Sequence, residues 1–292
     1  MKKRLVFIVN PISGIGKQKR IERVLRDNLD HNKFDYEVRY TERIHHGTEI
    51  AREIVGQGCC DAIVAVGGDG SVNDIVNGIK GTDMVMGIIP CGSGDGLALD
   101  LGISRNIDKA LRVIESGETR TIDSAEIDGQ PFFSTCGVGL DAVVSQRFAS
   151  SDRRGLVTYI HEALATWKNF KPEEYNIEID GKNVECKSAI VSVGNSRQWG
   201  NGAKITPSAI LDDGKLDVTV IDMFSTLEIP LLVLRLMTGH LNGSGKVHHY
   251  IGKDIVISRK SDGPAHFDGD YKPEGKDIRI AVMPASLKVL AP

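Results

Sequence analysis

The sequence predicts an α/β domain built on a parallel sheet, followed by a second domain rich in antiparallel β-strands. The chain has 292 residues, which is enough for two domains of ordinary size. Short β-branched runs alternate with amphipathic stretches in residues 1–121, whereas strand patterns follow one another closely in residues 122–283. Glycine-rich loops follow three of the N-terminal strands. They lie at the carboxyl ends of these strands, which is where ligands bind in parallel sheets.

The N-terminal elements alternate between strand and helix. Each predicted strand is a short, mostly apolar run, and each predicted helix has apolar residues at helical spacing. This βαβα order is typical of a parallel sheet with helices on both faces. Strands are predicted at Leu5–Val9, Tyr36–Tyr40, Ala62–Val66 and Val85–Ile89, and helices at Gly16–Leu29, Thr48–Gly56, Val72–Ile79 and Ile107–Ser116.

The C-terminal part has closely spaced strand patterns with few helices between them. The pairs Asp128-Gly129 and Asp180-Gly181 are typical of tight hairpin turns, so an antiparallel arrangement is predicted. Helices are predicted at Gly155–Lys168 and Thr226–Leu241. The predicted strands are Arg120–Ile127, Pro131–Gly137, Tyr175–Ile179, Ser188–Gly194, Leu216–Ile221, Asp254–Ser258 and Ile278–Met283.

The composition argues against several classes of protein. The formal net charge of −3 and the pI of about 6.3 lack the basic excess that nucleic-acid binding needs, so we expect no nucleic-acid partner. The five cysteines include no CxxC pair, which argues against a zinc site. Because they are scattered and odd in number, a reducing, cytoplasmic environment is expected. No apolar run approaches the roughly 18 residues of a membrane span, so no transmembrane segment is expected.

The first glycine-rich loop follows the first predicted strand. It presents backbone N–H groups just before a helix, where phosphate is a natural ligand, although its spacing is not that of a Walker A motif. Taken alone, a tight turn between a strand and a helix explains this loop equally well. Its sequence is Asn10-Pro11-Ile12-Ser13-Gly14-Ile15-Gly16-Lys17.

The second loop, Gly67-Gly68-Asp69-Gly70-Ser71-Val72-Asn73-Asp74, is the most informative. Its three glycines allow a polyphosphate to approach the backbone closely, and the Asp69 carboxylate suits Mg²⁺ bound to phosphates. Ser71 is expected to cap the following helix. A plain glycine turn with an N-cap explains Ser71, but it gives no reason for three glycines around an acid at the end of a strand.

The third loop also follows a predicted strand and precedes a helix. Because the carboxyl ends of parallel strands meet at one edge of a sheet, we expect the three loops to converge. A shared ligand site explains three such loops better than three unrelated turns do. The sequence of the third loop is Pro90-Cys91-Gly92-Ser93-Gly94-Asp95-Gly96-Leu97-Ala98.

Taken together, these segments resemble the lipid kinases that act on diacylglycerol, sphingoid bases and related lipids. The stretches NPISG, GGDGSVNDIVNGI, GIIPCGSGDGLALDLGI, CGVGLDA, ILDDGKLDV and HFDGDY occur in the order, and at about the spacing, of that family. GGDG alone is shared with NAD kinases and phosphofructokinases, so the later stretches make the resemblance specific. The resemblance implies a phosphofructokinase- and NAD kinase-like nucleotide-binding catalytic domain at residues 1–121, rejoined by a final strand within 284–292. It implies a β-rich lipid-substrate domain at residues 122–283.

The resemblance also implies ATP and Mg²⁺ as cofactors. Thr41, at the end of the second predicted strand, joins the three loops in contacting the nucleotide, and Asp69 would in addition hold Mg²⁺. By position in the family pattern, the nucleotide-binding residues are Asn10, Pro11, Ser13, Gly14, Thr41, Gly67, Gly68, Asp69, Gly70, Ser71, Val72, Asn73, Asp74, Gly92, Ser93 and Gly94.

The catalytic base of the family is the Glu of an Asp-Gly-Glu stretch, and the matching residues here are Asp268-Gly269-Asp270. The resemblance therefore assigns to Asp270 the removal of the proton from a lipid hydroxyl that attacks the γ-phosphoryl group. Asp123 matches an Asp that supports the Mg²⁺ and base network. A simple hairpin turn is the alternative for the first stretch, and a solvated strand-edge carboxylate is the alternative for Asp123.

A second cation site is implied by the stretch ILDDGKLD at residues 210–217. In the family this stretch holds a structural divalent cation, with Asp213 as a side-chain ligand and the main-chain carbonyls of Ile210 and Lys215 beside it. Such oxygen ligands suit Mg²⁺ or Ca²⁺. Without the resemblance, the stretch is explained as an acidic turn.

The third loop departs from the family pattern. Ser93-Gly94-Asp95-Gly96 stands where many diacylglycerol kinases have Thr-x-Asn-Asp. The loop is closer to the Gly-Ser-Gly-Asn of sphingoid-base kinases. This resemblance slightly favours a long-chain base as the substrate. The Asp95 carboxylate would repel phosphate unless a metal ion or a basic residue neutralises it.

The expected function is ATP-dependent phosphorylation of a lipid hydroxyl, by a protein that is peripheral to the membrane from which it takes the lipid. The sequence leaves a homodimer open. Two alternatives remain: an NAD kinase, and a nucleotide- or lipid-binding regulator that has lost catalysis through changes at Asp95, Gly96 and Asp270. The apolar stretch Phe224–Leu241 is assigned to the core, with a membrane-facing lip as the alternative.

Overall fold

The computed structural model describes residues 2–13, 16–149 and 156–292. The chain divides into two compact units. The first unit spans Met1–Ile122 and Ala285–Pro292, and the second spans Asp123–Pro284.

The first unit is an α/β structure with a parallel sheet. Its strands are β1 (Lys3–Val9), β2 (Phe34–Tyr40), β3 (Ala62–Gly67) and β4 (Val85–Pro90). Its helices are α1 (Ile21–Asn28), α2 (His46–Gln57), α3 (Asp69–Ile79), α4 (Gly96–Asp100) and α5 (Ile107–Ser116), and a 3-10 helix at Lys17–Arg20 precedes α1.

The strand order in this unit is β2-β1-β3-β4, and all three neighbouring pairs are parallel. Every residue of β3 is buried, which is typical of a central strand covered on both faces. The last residues of the chain add a further parallel pairing to β4, in which Lys288 lies opposite Val85.

The second unit is rich in β-strands. After β5 (Thr119–Ile127), which begins in the first unit, its strands are β6 (Gln130–Phe132), β7 (Thr135–Gly139), β8 (Glu173–Ile179), β9 (Lys182–Ser188), β10 (Ile190–Gly194), β11 (Leu216–Ile221), β12 (Val247–Gly252), β13 (Asp254–Arg259), β14 (Gly263–Phe267), β15 (Asp270–Glu274) and β16 (Asp277–Leu290). Its helices are α6 (Leu140–Ala149), α7 (Leu156–Asn169) and α8 (Ile229–Thr238), with 3-10 helices at Thr226–Glu228 and Leu241–Gly243. In the ranges described above, no helix combines the length and the apolar character needed to cross a bilayer.

The strands of the second unit pair in an antiparallel manner in two layers. One sheet has the order β12-β11-β10-β7-β14-β15, and the other pairs β16 with β13, β13 with β8, and β8 with β9. Side chains from both layers, among them Phe132, Val191 and Ile257, form one buried cluster. The layers therefore share a core, as in a β-sandwich.

This architecture confirms the predicted fold class, with local corrections. The predicted helix Gly16–Leu29 is shorter, because Gly16 has a left-handed φ of 84° and a 3-10 turn precedes α1. Helix α6 was not predicted, since its two adjacent valines and the glycines before it resemble a strand ending in a turn. The predicted strand Pro131–Gly137 is two strands, β6 and β7, with a break at residues 133–134. Gly155, the predicted start of the next helix, lies outside the described residues.

Candidate active site

The carboxyl ends of β1, β3 and β4 lie side by side at one edge of the parallel sheet. The N–H of Asn10, which follows β1, donates to the Val66 carbonyl of β3 at 3.1 Å. The N–H of Cys91, which follows β4, donates to the Gly67 carbonyl at 2.8 Å. Thr41 follows β2, and its N–H donates to the carbonyl of Val9, the last residue of β1, at 2.9 Å. The three glycine-rich loops and Thr41 thus start from neighbouring positions.

The first loop is shaped by its own polar groups. Asn10 Oδ1 accepts the N–H of Ile12 at 3.1 Å, and the Asn10 carbonyl accepts the N–H of Ser13 at 3.2 Å. The Pro11 carbonyl accepts the side-chain amide of Gln18 at 2.7 Å. The Asn10 side chain therefore holds the turn. Gly14, assigned to the same site from sequence, lies outside the described residues.

Ser71 in the second loop carries a buried hydroxyl. Helix α3 begins at Asp69 with no side-chain cap, so the expectation that Ser71 caps this helix is wrong. Its N–H donates to the Gly68 carbonyl at 2.9 Å, and its Oγ occupies the space that a Cβ on Gly67 would need. Among the described residues this buried Oγ has no hydrogen-bond partner. Buried hydroxyls are rarely left unsatisfied, and this one is suited to donate to a phosphate oxygen of a ligand.

Of the other residues predicted in the second loop, Val72 and Asn73 are buried and Asp74 is half-buried. Val72 and Asn73 are 3% and 7% exposed. Asp74 joins α3 to α2, because its carbonyl accepts the Thr48 hydroxyl at 2.8 Å and its carboxylate lies 3.2 Å from His45 Nδ1. Burial raises the pKa of Asp74, and the His45 contact opposes that rise. These residues therefore pack α3 against its neighbours and hold the loop in position.

The third loop is held by an arginine that the sequence did not single out. Arg105 Nε donates to Asp95 Oδ2 at 3.0 Å, and Arg105 Nη2 donates to the carbonyls of Ser93 and Gly94 at 3.0 and 2.6 Å. The other Asp95 oxygen accepts the N–H of Gly92 at 2.9 Å. The basic residue required to neutralise Asp95 is therefore Arg105.

The second and third loops touch each other. The Asp69 carboxylate accepts the N–H of Gly96 at 2.8 Å. A Cβ on Gly92 would lie 2.5 Å from the Cα of Gly68, so only glycine fits at this contact. The two loops form one connected structure around Asp69.

Asp69 has the ligand chemistry expected for Mg²⁺, since carboxylate oxygen is a preferred donor for this ion. In the described ranges, however, no three or more His, Cys, Asp or Glu side chains are gathered in a metal-binding group. A cation at Asp69 would therefore take its remaining ligands from phosphates and water, which is the usual arrangement for Mg²⁺ with a nucleotide.

Asp123, in the second unit, is joined to the predicted cation-binding turn. Asp123 is 2% exposed, and its Oδ2 accepts the N–H of Gly214 at 2.7 Å. Its own N–H donates to the Leu211 carbonyl at 2.7 Å. Within the turn, Asp213 Oδ1 accepts the N–H of Lys215 at 3.0 Å. The alternative of a solvated strand-edge carboxylate is thus wrong for Asp123.

Asp217 extends the acidic character of this turn and was not assigned from sequence. It lies in β11 and is 6% exposed. Burial, and then the nearby Asp213, raise the pKa of Asp217 to about 6. Asp213 and Asp217 are close enough for their charges to interact, and carboxylate oxygen is a ligand that Mg²⁺ and Ca²⁺ prefer. The cation itself, with the main-chain carbonyls of Ile210 and Lys215 as ligands, stays a prediction.

The stretch that contains the predicted base is a β-hairpin. Asp268 and Gly269 form its two-residue loop with φ values of 48° and 88°, which are typical of a type I′ turn. The Asp268 carboxylate accepts the N–H groups of Phe133 and Ser134 at 3.2 and 2.8 Å. Asp270 is the first residue of β15 and is exposed. Asp268 therefore anchors the hairpin, while Asp270 is an exposed residue at the start of the next strand.

A buried histidine lies in the same strand as this hairpin. His266 Nε2 is 2.8 Å from Asp141 Oδ2, and both side chains are 3% exposed. A Cβ on Gly137 would lie 2.6 Å from the Val191 carbonyl oxygen, as well as 3.0 Å from the Asp141 oxygen and 3.2 Å from His266 Nε2, so glycine is needed beside the pair. This contact joins the CGVGLDA and HFDGDY stretches. The sequence contained both stretches, but nothing in them indicated that residues 125 positions apart would pair.

Known proteins match the chain along almost its whole length. Residues 4–127 match the diacylglycerol kinase catalytic domain, and residues 134–291 match the YegS C-terminal NAD kinase beta sandwich-like domain. A protein named diacylglycerol kinase from Mycobacterium tuberculosis (strain ATCC 25618 / H37Rv) is 27% identical, with 99% of this chain and 95% of that protein covered. A protein named probable lipid kinase YegS from Escherichia coli (strain K12 / DH10B) is 27% identical, with 79% of this chain and 78% of that protein covered.

A solved structure supports the fold independently. A crystal structure described as a diacylglycerol kinase from Bacillus anthracis str. Sterne superposes with a TM-score of 0.75 at 20% identity, and the match covers 99% of this chain and 97% of that one. At this level of identity the likeness concerns the fold, whereas the two matching domains define the family. The chain therefore belongs to the family of lipid kinases that combine a diacylglycerol kinase catalytic domain with a YegS-type C-terminal domain.

Proposed function

We propose that this protein transfers the γ-phosphoryl group of ATP to a hydroxyl group of a lipid, with diacylglycerol and long-chain bases as the leading substrate classes. The observation that carries the proposal is the meeting of the glycine-rich loops at one sheet edge, beside a buried Ser71 hydroxyl that has no hydrogen-bond partner within the described part of the chain. Close glycine contacts leave backbone N–H groups accessible to phosphates, and a free hydroxyl adds a donor.

The first unit supplies the proposed nucleotide site. The N-terminal end of α3 and Ser71 Oγ would bind phosphate oxygens, and Thr41 would contact the nucleotide from the end of β2. Mg²⁺, when held at Asp69, would neutralise the charge that develops on the phosphates. Asp95 does not oppose nucleotide binding, because Arg105 already neutralises its charge.

The second unit supplies the proposed base. Asp270 would accept the proton of the lipid hydroxyl as its oxygen bonds to the γ-phosphorus and the bond from that phosphorus to the bridging oxygen of ADP breaks. Asp123 would support this chemistry indirectly, since it holds the turn that contains Asp213. Asp213, with the carbonyls of Ile210 and Lys215, would bind a structural divalent cation. Removal of this cation by a chelator would then lower the melting temperature of the protein.

The test is transfer of labelled γ-phosphate from ATP in the presence of Mg²⁺. The acceptors are diacylglycerol, sphingosine-like bases, ceramide, monoacylglycerol and NAD. Asp270→Asn should lower kcat by about 100-fold or more, because it removes the proton acceptor and keeps the side-chain shape. Asp254→Asn is the matched control, since Asp254 is another exposed carboxylate at the start of a strand in the same unit.

The outcomes separate the candidate functions. A labelled lipid, together with loss of turnover in Asp270→Asn and normal turnover in Asp254→Asn, supports both the reaction and the base. Labelled NAD alone would replace the lipid kinase with an NAD kinase. No transfer to any acceptor, with nucleotide binding retained, would support the regulator alternative.

A further inference from the structure

Helix α8 and the 3-10 turn before it expose large apolar side chains. Leu227 is 93% exposed, Leu231 47% and Leu234 59%, and Val233 and Met237 are each 49% exposed. We call these five residues the α8 apolar surface. Elsewhere in the described part of the chain, no stretch of similar length exposes more than two large apolar residues. The concentration at one helix distinguishes this surface from the scattered apolar residues of ordinary protein surfaces.

The apolar residues of α8 lie on both sides of the helix. On the inner side, Leu232 is 4% exposed and belongs to a buried cluster, against which Ile229 and Leu236 also pack. On the outer side, where a surface helix normally carries polar residues, the side chains of Leu231 and Leu234 are again apolar. The inner side therefore satisfies the fold, and the outer residues need another explanation.

The chain segment that carries this surface is poor in acidic side chains and contains basic ones. No Asp or Glu occurs between residues 229 and 253. The neighbouring Glu228 is neutralised by Lys246 at 2.8 Å. Lys204 lies at the C-terminal end of α8, where its N–H donates to the Leu236 carbonyl at 2.8 Å. Lys204 and Arg235 form no ion pair with a carboxylate in the described residues.

We propose that the α8 apolar surface docks this protein on a bilayer that contains anionic lipids. Leu231 and Leu234 would enter the interfacial region, while Lys204 and Arg235 would face the headgroup phosphates. An aliphatic surface with two basic side chains beside it, whose neighbouring Glu228 is paired with Lys246, is complementary to such a bilayer in both polarity and charge. The proposal rests on the proposed function, because a kinase with a bilayer-borne substrate must work at the membrane surface.

The test is sedimentation of the full chain with vesicles, without nucleotide. The vesicles contain either phosphatidylcholine alone or phosphatidylcholine mixed with phosphatidylglycerol. The wild-type protein should bind the mixed vesicles more tightly. The double variant Leu231→Ser with Leu234→Ser should bind both kinds at least about tenfold more weakly, because two aliphatic side chains no longer leave water. Ile44→Ser with Ile251→Ser is the matched control, since these side chains are 84% and 56% exposed elsewhere.

Replacement of the two cations separates charge from apolar insertion. Lys204→Gln and Arg235→Gln should each weaken binding to the phosphatidylglycerol vesicles by about fivefold and leave binding to phosphatidylcholine unchanged. Melting temperatures equal to that of the wild type would show that the variants are folded. Equal vesicle binding by the wild type and the Leu231 and Leu234 double variant would overturn the proposal. The proposal would also be overturned if light scattering showed that the wild type is a dimer and that, among the variants, only this double variant is a monomer.

A soluble substrate keeps this proposal distinct from the proposed function. If the docking surface is correct, the Leu231 and Leu234 double variant should phosphorylate a short-chain, water-soluble diacylglycerol at the wild-type rate and a vesicle-borne one more slowly. Vesicle binding that depends on these residues, without phosphorylation of any lipid, would support docking and contradict the kinase activity. Phosphorylation of the vesicle-borne lipid at an unchanged rate by the double variant would contradict docking alone.

Discussion

Removal of Arg105 tests how the third glycine-rich loop is held in shape. In Arg105→Ala, the Asp95 carboxylate loses the guanidinium 3.0 Å away, and the carbonyls of Ser93 and Gly94 lose their donor. The side chain of Asp95 is 2% exposed, so water does not replace the lost partner easily. An uncompensated buried charge costs about 3 to 5 kcal/mol, and the lower end applies here because Arg105 itself is 34% exposed. We expect the free energy of unfolding to fall by about 3 kcal/mol.

Asp95→Asn provides the second side of a double-mutant cycle. An Asn side chain still accepts the N–H of Gly92 but carries no charge, so this variant alone should cost about 1 kcal/mol. When Arg105→Ala is added to Asp95→Asn, the further loss should also be about 1 kcal/mol, because no buried charge is left unpaired. The coupling energy between Arg105 and Asp95 should therefore be about 2 kcal/mol.

The assays are urea unfolding followed by circular dichroism and, if the proposed reaction is observed, the KM for ATP. The third loop loses more of its contacts in Arg105→Ala than in Asp95→Asn. The KM for ATP should therefore rise more in Arg105→Ala. A coupling energy below about 0.5 kcal/mol would refute the reasoning, because the two side chains would then act independently. An unchanged KM in Arg105→Ala would separate the pair from nucleotide binding.

Two further predictions concern buried carboxyl groups in the second unit. The pKa of Asp217 is raised from 3.8 to about 6, so the folded state binds this proton more tightly than the unfolded state, and stability should fall as the pH rises between those values, by at most about 3 kcal/mol. In buffer without divalent cations, Asp217→Asn should remove that part of the pH dependence in urea unfolding at about pH 4 and pH 7, and an unchanged pH profile would contradict the assignment. His266→Ala should lower the free energy of unfolding by about 3 kcal/mol, because it leaves the buried Asp141 carboxylate without the imidazole, whereas Asp141→Asn keeps a hydrogen bond and should cost less. Equal losses in the last two variants would show that the charge of Asp141 does not matter.

The fold class and the position of the loops could be predicted because they depend on local patterns. Apolar runs ended by glycines mark buried strands, and parallel strands bring their carboxyl ends to the same edge wherever the intervening helices lie. The loop that contains Asp69 was predicted for this reason. The helix cap predicted for its neighbour Ser71 is wrong, because a serine after glycines resembles an N-cap unless the start of the helix is known. The assignment of Ser71 to the nucleotide-binding residues stays a prediction.

The contacts that hold the site together could not be predicted from spacing. Arg105 reaches back over a short helix to Asp95, and a lone arginine in a loop has no pattern that indicates such a contact. His266 and Asp141 come from stretches far apart in the chain and meet only because β14 pairs with β7. Helix α6 was missed because its valines favour a strand locally, while packing against β14 and β15 makes it a helix.

The hairpin between β14 and β15 explains how two neighbouring aspartates can have different roles. The left-handed backbone of Asp268 turns its carboxylate back onto the N–H groups of Phe133 and Ser134, so this side chain fixes the hairpin to the sheet. Asp270 comes one residue after the turn, in a strand whose backbone is paired, and its carboxylate is exposed. A general base needs both an accessible oxygen and a fixed backbone, particularly when an Asp replaces the longer Glu of the family. If Asp270 is the base proposed above, Asp270→Asn should lower turnover far more than it lowers the free energy of unfolding, because the Asp268 carboxylate still anchors the hairpin.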